Sequence, residues 1–363
     1  MNNIKNSFDN IFIETKFKKH YKTLEILDNV VENQEVRYVD DILSFMKDSD
    51  KAINPNTRNK SLLLGGIRGE ILRKCPGSYG HICCNYSVIN LYIGCPINCS
   101  YCILQSYLNQ PATIINVDIE NIFSNLRTVF NASKDRLFRI GTGELGDSLV
   151  YDDITNFSTD FVDFFSEFDN AIFEFKTKTD KIGNLMNISP KKQNIVVGFS
   201  VNPDIIINSE EGNAAKLDDR ISAMRLLIEK GYLIALHFDP LILIDNFEYE
   251  YERAIKKIFS QIESKKIQWI SLGAFRYTTD LKKAIQSNYP DTGILAEEFA
   301  LCEDNKFRYL RPIRAGLYKF ILNTLKSERS DVPVYFCMES PQIWKELQPH
   351  NDQVKKIVFG DKI

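Results

Sequence analysis

Three cysteines, Cys95, Cys99 and Cys102, lie within eight residues of one another in the segment GCPINCSYCILQ, residues 94–105. Pro96 and Asn98 favour a tight loop, which would direct three thiolates to one place. A structural zinc ion usually has four protein ligands, whereas each iron of a [4Fe–4S] cluster takes one thiolate. Three cysteines therefore predict a [4Fe–4S] cluster in which one iron has no protein ligand.

An iron without a protein ligand can chelate the amino and carboxylate groups of S-adenosylmethionine (SAM), which is a source of radical chemistry. Two other interpretations of the same three residues stay open at this point. The cysteines can be reduced structural residues, or they can bind zinc together with Cys83 or Cys84.

The composition is typical of an intracellular globular protein. Of 363 residues, 44% are hydrophobic and 26% are charged, with a net charge of −3. This charge excludes a globally basic nucleic-acid binder, although a local basic groove is compatible with it. The N-terminal segment lacks the apolar region of a signal peptide, and no apolar run approaches the roughly 20 residues of a membrane helix. We therefore expect a cytoplasmic protein without a membrane partner, in which the eight cysteines stay reduced.

From residue 87 onwards, short apolar segments alternate with amphipathic ones. The predicted strands cover residues 88–94, 137–143, 171–178, 194–201, 232–240 and 267–275. The predicted helices lie near residues 118–130, 151–166, 180–187, 217–230, 246–263 and 278–287. Strands rich in Val, Ile and Phe that alternate with helices indicate an α/β fold with a parallel sheet. Six such units favour an open or complete barrel over two separate domains.

The barrel is predicted to span residues 87–300. Residues 1–86 are predicted to form an N-terminal flanking segment, with a helix over residues 36–47. Residues 301–363 are predicted to hold a helix rich in basic and aromatic residues, followed by a last strand within residues 332–339.

Polar residues collect where the predicted strands end. They are Thr142, Glu144, Lys178, Ser200 and Asn202. The carboxyl ends of barrel strands form the active-site face of such folds, so we expect these side chains to surround a common site.

The cysteine spacing C-x3-C-x2-C, followed by an apolar helix, resembles the signature of the radical SAM superfamily. The longer string GCPINCSYCILQ resembles the spore photoproduct lyase family, and further similar segments follow in order. They are GFSVN (198–202), LDDRISAMRLLIEKGY (217–232) and AFRYTTDLKKAIQSNYP (274–290). The resemblance implies a partial (β/α)6 TIM-like barrel of the radical SAM type. It also implies repair of a pyrimidine photoproduct in DNA by a lyase that cleaves SAM to a 5′-deoxyadenosyl radical.

The resemblance assigns roles to individual residues. It implies that Cys95, Cys99 and Cys102 ligate the cluster, that Glu144 receives the SAM ammonium group, and that Lys178 approaches SAM.

For four more residues the resemblance competes with a structural role. Tyr101 corresponds to a family tyrosine near the site, but it can also be a packing residue. Ser200 and Asn202 are expected to contact the SAM ribose or carboxylate, or else to cap a strand end. Arg220 is expected to pair with the SAM carboxylate, or to form an ion pair on a helix surface.

The chain departs from the family at the hydrogen-atom donor. The family has a cysteine after the second barrel strand, whereas this chain has Thr142, and a threonine O–H bond is too strong to replace a thiol. The alternative function is therefore a radical SAM enzyme of the same subgroup with a non-DNA substrate. A third hypothesis, a zinc- or cluster-bearing nucleic-acid-binding protein, is disfavoured by Glu144 and Lys178.

Five further thiols are candidates for other roles. Cys75, Cys83 and Cys84 either form a second metal site or pack beneath the cluster. Cys302 and Cys337 fall near the last strands, where they either reach the barrel mouth or are buried.

Two partners are expected. Damaged DNA is expected to bind through Lys306, Arg308, Arg311 and Arg314, in a segment that interleaves basic and aromatic residues. The same pattern is also typical of a solvated amphipathic helix. The resemblance further implies an electron donor such as flavodoxin or ferredoxin.

Overall fold

The apolar segments predicted as strands form a curved sheet of eight strands in the computed structural model, which describes residues 8–31, 34–48, 60–108, 112–328 and 331–347. In spatial order the strands are β16 (Val334–Phe336), β12 (Ile267–Ala274), β11 (Leu233–Leu241), β10 (Ile195–Ser200), β9 (Ala171–Thr177), β8 (Phe138–Gly141), β5 (Ser87–Val88) and β4 (Arg73–Lys74). All strands except β4 run parallel to their neighbours. Because β16 and β4 do not pair within the described sheet, the barrel is partial, as predicted.

Helices connect the parallel strands. They are α4 (Ile119–Ala132), α5 (Asp152–Thr155), α6 (Phe157–Phe165), α7 (Gly183–Met186), α8 (Asp204–Glu210), α9 (Leu217–Glu229), α10 (Phe247–Phe259) and α11 (Thr279–Asn288). The six helices predicted for this region are confirmed, with one of them divided into α5 and α6, while α8 had not been predicted. The strands read as nearly continuous apolar runs because both of their faces are covered; all six residues of β10 are buried.

A second sheet of five strands lies outside the barrel. Its order is β2 (Glu35–Val39), β1 (Asn10–Glu14), β3 (Ser61–Gly65), β7 (Thr113–Asn116) and β6 (Tyr92–Ile93). The short helices α1 (Tyr21–Val30), α2 (Ile42–Asp48) and α3 (Leu104–Tyr107) accompany these strands in the chain. Residues 94–103, between β6 and α3, form the cysteine loop.

Two predictions fail in this second sheet. The helix predicted over residues 36–47 is wrong in its first part, because Glu35–Val39 pairs with β1 as a strand. Its β-branched and aromatic residues fit a strand once β1 supplies the partner. The strand predicted over residues 88–94 divides into β5 and β6, which belong to different sheets.

The C-terminal part adds a small antiparallel sheet. It consists of β13 (Arg276–Tyr277), β15 (Phe307–Tyr309) and β14 (Phe299–Leu301), and it precedes α12 (Arg311–Ser327). The predicted basic-aromatic helix therefore begins only at Arg311, where Pro312 stands in its first turn. The predicted last strand is confirmed as β16, and α13 (Pro341–Leu347) follows it. Within the described residues no helix has the length and apolar character needed to cross a membrane.

Candidate functional site

The cysteine loop brings its three thiols to one place. Gly94, with φ of 113°, and Asn98, with φ of 59°, adopt left-handed backbone conformations that turn the chain. Cys99 is buried, while Cys95 and Cys102 are half-buried. Each of the three thiols interacts electrostatically with the other two. The expected convergence of the three side chains is therefore present.

The spacing of the three thiols distinguishes between a cluster and a single metal ion. Across the described ranges, only His20, Asp118 and Glu120 place three potential ligand atoms all within 4.8 Å of one another. At least one pair of the three sulfur atoms therefore lies more than 4.8 Å apart, whereas sulfurs around one zinc ion lie roughly 4 Å apart. A [4Fe–4S] cluster, with one thiolate for each of three irons, fits this set of donors better than zinc does.

Burial raises the pKa of all three thiols above the ordinary value. Lys178 opposes this effect at Cys99 and Cys102. Its ammonium group also lies 5.7 Å from the ring centroid of Tyr101. Because ligands to iron are thiolates, binding of a cluster releases protons, and Lys178 stabilises the charged form.

Two consecutive glutamates at the end of α8 hold the residues between the second and third cysteine. The backbone N–H of Ser100 donates to the carbonyl oxygen of Glu210 at 2.8 Å, and its hydroxyl donates to the Glu210 carboxylate. The Tyr101 hydroxyl donates to the carboxylate of Glu211. Tyr101 is therefore a buried residue that links the cysteine loop to α8.

Glu211 is the centre of a buried hydrogen-bond network. Its carboxylate accepts from the Asn202 amide at 3.0 Å and from the Arg220 guanidinium at 2.5 Å. Burial alone would raise the pKa of Glu211, but Arg220, Lys178 and the Tyr101 hydroxyl lower it to about 2. The carboxylate is thus a fixed negative charge beside the cysteine loop.

Arg220 has a different environment from the two that were expected. Its side chain is fully buried, and it donates to Glu211 and to the carbonyl oxygens of Ser200 and Ala215, at 2.8 and 2.9 Å respectively. It is therefore not part of a helix-surface ion pair. Because its guanidinium is committed to Glu211, the geometry favours a positioning role over a direct contact with the SAM carboxylate. Ser200 and Asn202 are both buried at the end of β10.

Glu144 lies near the start of the loop that follows β8. Its carboxylate accepts from Asn90 at 3.0 Å and from Arg73 at 3.2 Å. The amide oxygen of Asn90 is buried and has no hydrogen-bond partner among the described residues. A buried acceptor without a donor is costly, so its position beside a carboxylate fits a cationic group with several N–H donors. The ammonium group of SAM has this chemistry.

Thr142 and Asp147 shape the same loop. The Thr142 hydroxyl is fully buried and donates to the Ser148 hydroxyl at 2.8 Å. Asp147 accepts from the Thr177 hydroxyl at 2.8 Å and from the backbone N–H of Lys178 at 2.7 Å. These bonds join the loop after β8 to the end of β9, which carries Lys178.

Comparisons with known proteins identify the family of the chain. The sequence model of the spore photoproduct lyase family matches residues 50–332, which is more than half of the chain. The chain belongs to the spore photoproduct lyase family. Curated relatives named spore photoproduct lyase include one from Clostridium acetobutylicum, 23% identical over 195 residues, and one from Bacillus subtilis, 22% identical over 207 residues. The first match covers 54% of this chain and 56% of that protein, and the second covers 56% and 58%. The chain thus matches little more than half the length of these relatives.

Solved structures of spore photoproduct lyase share the fold. A cysteine-to-alanine variant gives a TM-score of 0.80 at 18% identity, over 91% of this chain and 99% of that one. A double variant with bound AdoMet and dinucleoside spore photoproduct gives a TM-score of 0.79 at 18% identity, over 92% and 99%. The similarity extends over nearly all of both chains and confirms the fold expected for the family.

The expected DNA contacts of this family member need a correction. Arg308 is 2% exposed and binds Asp304 and the carbonyl oxygen of Met338, while Arg314 is 6% exposed and binds Glu339. The expectation was wrong for these two arginines, because buried and paired guanidinium groups cannot reach phosphates. Lys306 and Arg311, by contrast, keep 23% and 59% of their side chains exposed.

The barrel interior holds charged residues that sequence analysis missed. Glu174 accepts from His237 at 2.6 Å and from the Trp269 indole at 3.2 Å, and Arg139 lies 3.6 Å away. The pKa of Glu174 is about 2, because His237 and Arg139 outweigh the effect of burial. In the sequence, these residues stand out only as charged side chains within otherwise apolar strands. That contrast could have identified them as interior polar residues.

Four of the five remaining thiols line one cavity of about 200 Å³. They are Cys75, Cys83, Cys84 and Cys337. Cys302 lies apart from them, in the turn between β14 and β15, where its thiol faces the carbonyl oxygen of Ala300 at 3.7 Å. Cys337 directly follows β16, and it is half-buried.

Proposed function

We propose that this chain is a radical SAM enzyme that repairs a pyrimidine photoproduct in DNA by the spore photoproduct lyase reaction. The observation that carries this proposal is the cysteine loop, where three thiols from one loop converge beside Lys178. When bound, a [4Fe–4S] cluster and SAM supply a 5′-deoxyadenosyl radical. Cys95, Cys99 and Cys102 would hold the cluster.

The protein's own groups around the loop would bind and orient SAM. Glu144 and the free amide oxygen of Asn90 offer two acceptors to its ammonium group. Lys178 stabilises negative charge on the thiolates of Cys99 and Cys102 and is proposed to meet the SAM carboxylate. Ser200 and Asn202, at the end of β10, are proposed to contact the ribose or carboxylate of SAM. Tyr101 and Arg220 act through Glu211, which fixes their positions.

The barrel mouth suits an anionic substrate. Lys176, Arg276 and Lys306 all approach it, and one relative was solved with a dinucleoside spore photoproduct. Burial and the positive charges of Arg276 and Arg308 lower the pKa of Lys306. The cations Lys176, Arg276 and Lys306 at the mouth favour binding of a phosphate. Lys306 and Arg311 are the proposed DNA contacts of the C-terminal part.

Thr142 favours a second candidate function. Its hydroxyl is committed to Ser148 and offers no thiol at the place of the family cysteine. A radical SAM enzyme of the same subgroup that acts on a non-DNA substrate is the alternative. Both candidates require a low-potential one-electron donor such as flavodoxin or ferredoxin.

Anaerobic reconstitution tests the cofactor. We expect about four irons per chain and an electron paramagnetic resonance signal that shifts when SAM is added. The Cys99→Ala variant should lose both the iron and the formation of 5′-deoxyadenosine, while the matched Cys302→Ala variant should keep them. Stoichiometric zinc with no response to SAM would refute the cluster.

Incubation with ultraviolet-damaged spore-type DNA, SAM and a reductant tests the substrate. We expect restored thymine, measured by chromatography of the digested DNA. Formation of 5′-deoxyadenosine without any restored thymine would favour the alternative substrate class.

A further inference from the structure

The proposed reaction needs a thiol that the usual position does not provide. A hydrogen-atom donor requires an S–H bond weak enough to break, and Thr142 has only a buried hydroxyl. Among the described residues outside the cysteine loop, the thiols other than Cys302 all line the cavity of about 200 Å³. The donor is therefore to be sought in that cavity.

Cys337 is the cavity thiol that directly follows a parallel barrel strand. Its backbone N–H donates to the carbonyl oxygen of Leu272 at 2.7 Å, which continues the pairing of β16 with β12. Active sites of such barrels lie at the carboxyl ends of the strands, and Cys337 lies at one of these ends.

A contact across the barrel shows which wall Cys337 occupies. The Arg139 guanidinium of β8 donates to the Tyr335 hydroxyl of β16 at 2.8 Å. Side chains of a strand alternate, so Cys337 points to the same interior as Tyr335. Thr142 follows Arg139 by three residues on the facing wall. Cys337 and Thr142 therefore both lie just past the carboxyl ends of parallel barrel strands, at the same end of the barrel.

Polar groups at the mouth surround the Cys337 thiol. The thiol interacts electrostatically with the Asp239 carboxylate, and the Arg276 guanidinium donates to the sulfur at 3.8 Å. Asp239 and Arg276 pair at 3.3 Å above Gly273, where an added Cβ would lie 2.5 Å from the Asp239 carboxylate. The absence of a side chain at Gly273 therefore leaves room for the Asp239–Arg276 ion pair beside the Cys337 thiol.

The thiol keeps its proton. Burial and the negative charge of Asp239 raise the pKa of Cys337, while Arg276 opposes them only in part. A protonated thiol suits donation of a hydrogen atom, because the S–H bond that must break is then present.

We infer that Cys337 is the hydrogen-atom donor of this enzyme, a role that rests on the proposed function. The S–H bond of Cys337 breaks and a C–H bond forms at the carbon radical of the product, which leaves the unpaired electron on sulfur. One electron from the low-potential donor that the proposed function already requires, and one proton from water, restore the thiol.

Turnover in D₂O with the dinucleoside spore photoproduct as substrate tests this role. The thiol exchanges its proton with solvent, so the wild-type product should carry one solvent deuterium. The Cys337→Ala and Cys337→Ser variants should form 5′-deoxyadenosine within twofold of wild type, while labelled product falls at least tenfold. Cys302→Ala, outside the cavity, and Cys84→Ala, inside it, should behave as wild type. Iron content checks that every variant is folded and loaded.

Each result decides the question. Labelled product at the wild-type level from Cys337→Ala overturns the role of Cys337, as does loss of product from Cys84→Ala alone. A wild-type protein that forms no 5′-deoxyadenosine refutes the proposed function, and the inference then fails with it. The two failures can be distinguished. Formation of 5′-deoxyadenosine shows that the radical reaction starts, and deuterium in the product shows that the product radical receives a hydrogen atom.

Discussion

Replacement of Glu211 by glutamine removes the negative charge that joins the cysteine loop to the barrel. Glutamine keeps the size of the side chain and an acceptor for Asn202 and Tyr101. It leaves the fully buried Arg220 without a charged partner. The variant therefore isolates the contribution of the charge.

The magnitude follows from the pKa of Glu211. Its fall from 4.5 to about 2 corresponds to roughly 3 kcal/mol of stability at neutral pH. Loss of one member of a buried ion pair costs about 3–5 kcal/mol in general, which agrees with this value. We expect Glu211→Gln to lose roughly 3 kcal/mol of unfolding free energy.

The sign of the pH dependence is determined by the same shift. The pKa of Glu211 is lower in the folded protein than in the unfolded chain. Its contribution to the free energy of unfolding is therefore complete above about pH 4.5 and is lost as the pH falls through 2. The difference between wild type and variant should therefore shrink at low pH, to roughly half at pH 3.

Urea unfolding of the metal-free protein at pH 7 and pH 3 measures these differences. The exposed Glu229 on the same helix as Arg220 provides the control, since Glu229→Gln should change stability by less than about 0.5 kcal/mol. Iron retention after reconstitution should also fall in Glu211→Gln, because the neutral amide is a weaker acceptor than the carboxylate for the Tyr101 hydroxyl, which lies between two ligands. A Glu211→Gln protein as stable as Glu229→Gln, with full iron, would refute the reasoning.

Three further predictions concern separate parts of the chain. Gly212→Ala should lose about 1–3 kcal/mol and retain less iron, because its Cβ would lie 2.4 Å from the Ile97 carbonyl oxygen and φ is +28°. Burial raises the pKa of Asp152 to about 6, so stability should fall by at most roughly 3 kcal/mol between pH 4 and 6, and Asp152→Asn should flatten this slope in urea unfolding. Arg314→Met should lower the free energy of unfolding by about 3–5 kcal/mol in thermal unfolding, since the buried Glu339 loses the arginine that pairs with it. The salt dependence of DNA binding should not change, because Arg314 does not contact phosphates.

Each of these has a result that would contradict it. Full stability and iron in Gly212→Ala would mean that the cysteine loop shifts freely. An unchanged slope between pH 4 and 6 in Asp152→Asn would assign that slope to other groups. A weaker salt dependence of DNA binding in Arg314→Met would restore this arginine as a phosphate contact.

The sequence by itself determined the features that depend on neighbouring residues. The spacing of Cys95, Cys99 and Cys102 predicts a three-thiolate site because all three ligands come from one loop. The alternation of apolar strands and amphipathic helices predicts the barrel, since each βα unit buries its own apolar face. The polar residues at strand ends follow from the same periodicity.

Only the tertiary structure decided the features that join distant segments. Tyr101 and Glu211 are 110 residues apart, and neither residue type indicates the other. Arg308 and Arg314 are buried against Met338 and Glu339, which follow β16, so a basic pattern that suits phosphates lies inside the protein. Cys337 meets the barrel mouth because β16 pairs with β12. Long-range strand pairing leaves no local pattern in the sequence. The sequence therefore predicted the three cysteines proposed to hold the cluster, but it did not single out Cys337 as the thiol that we propose completes the reaction.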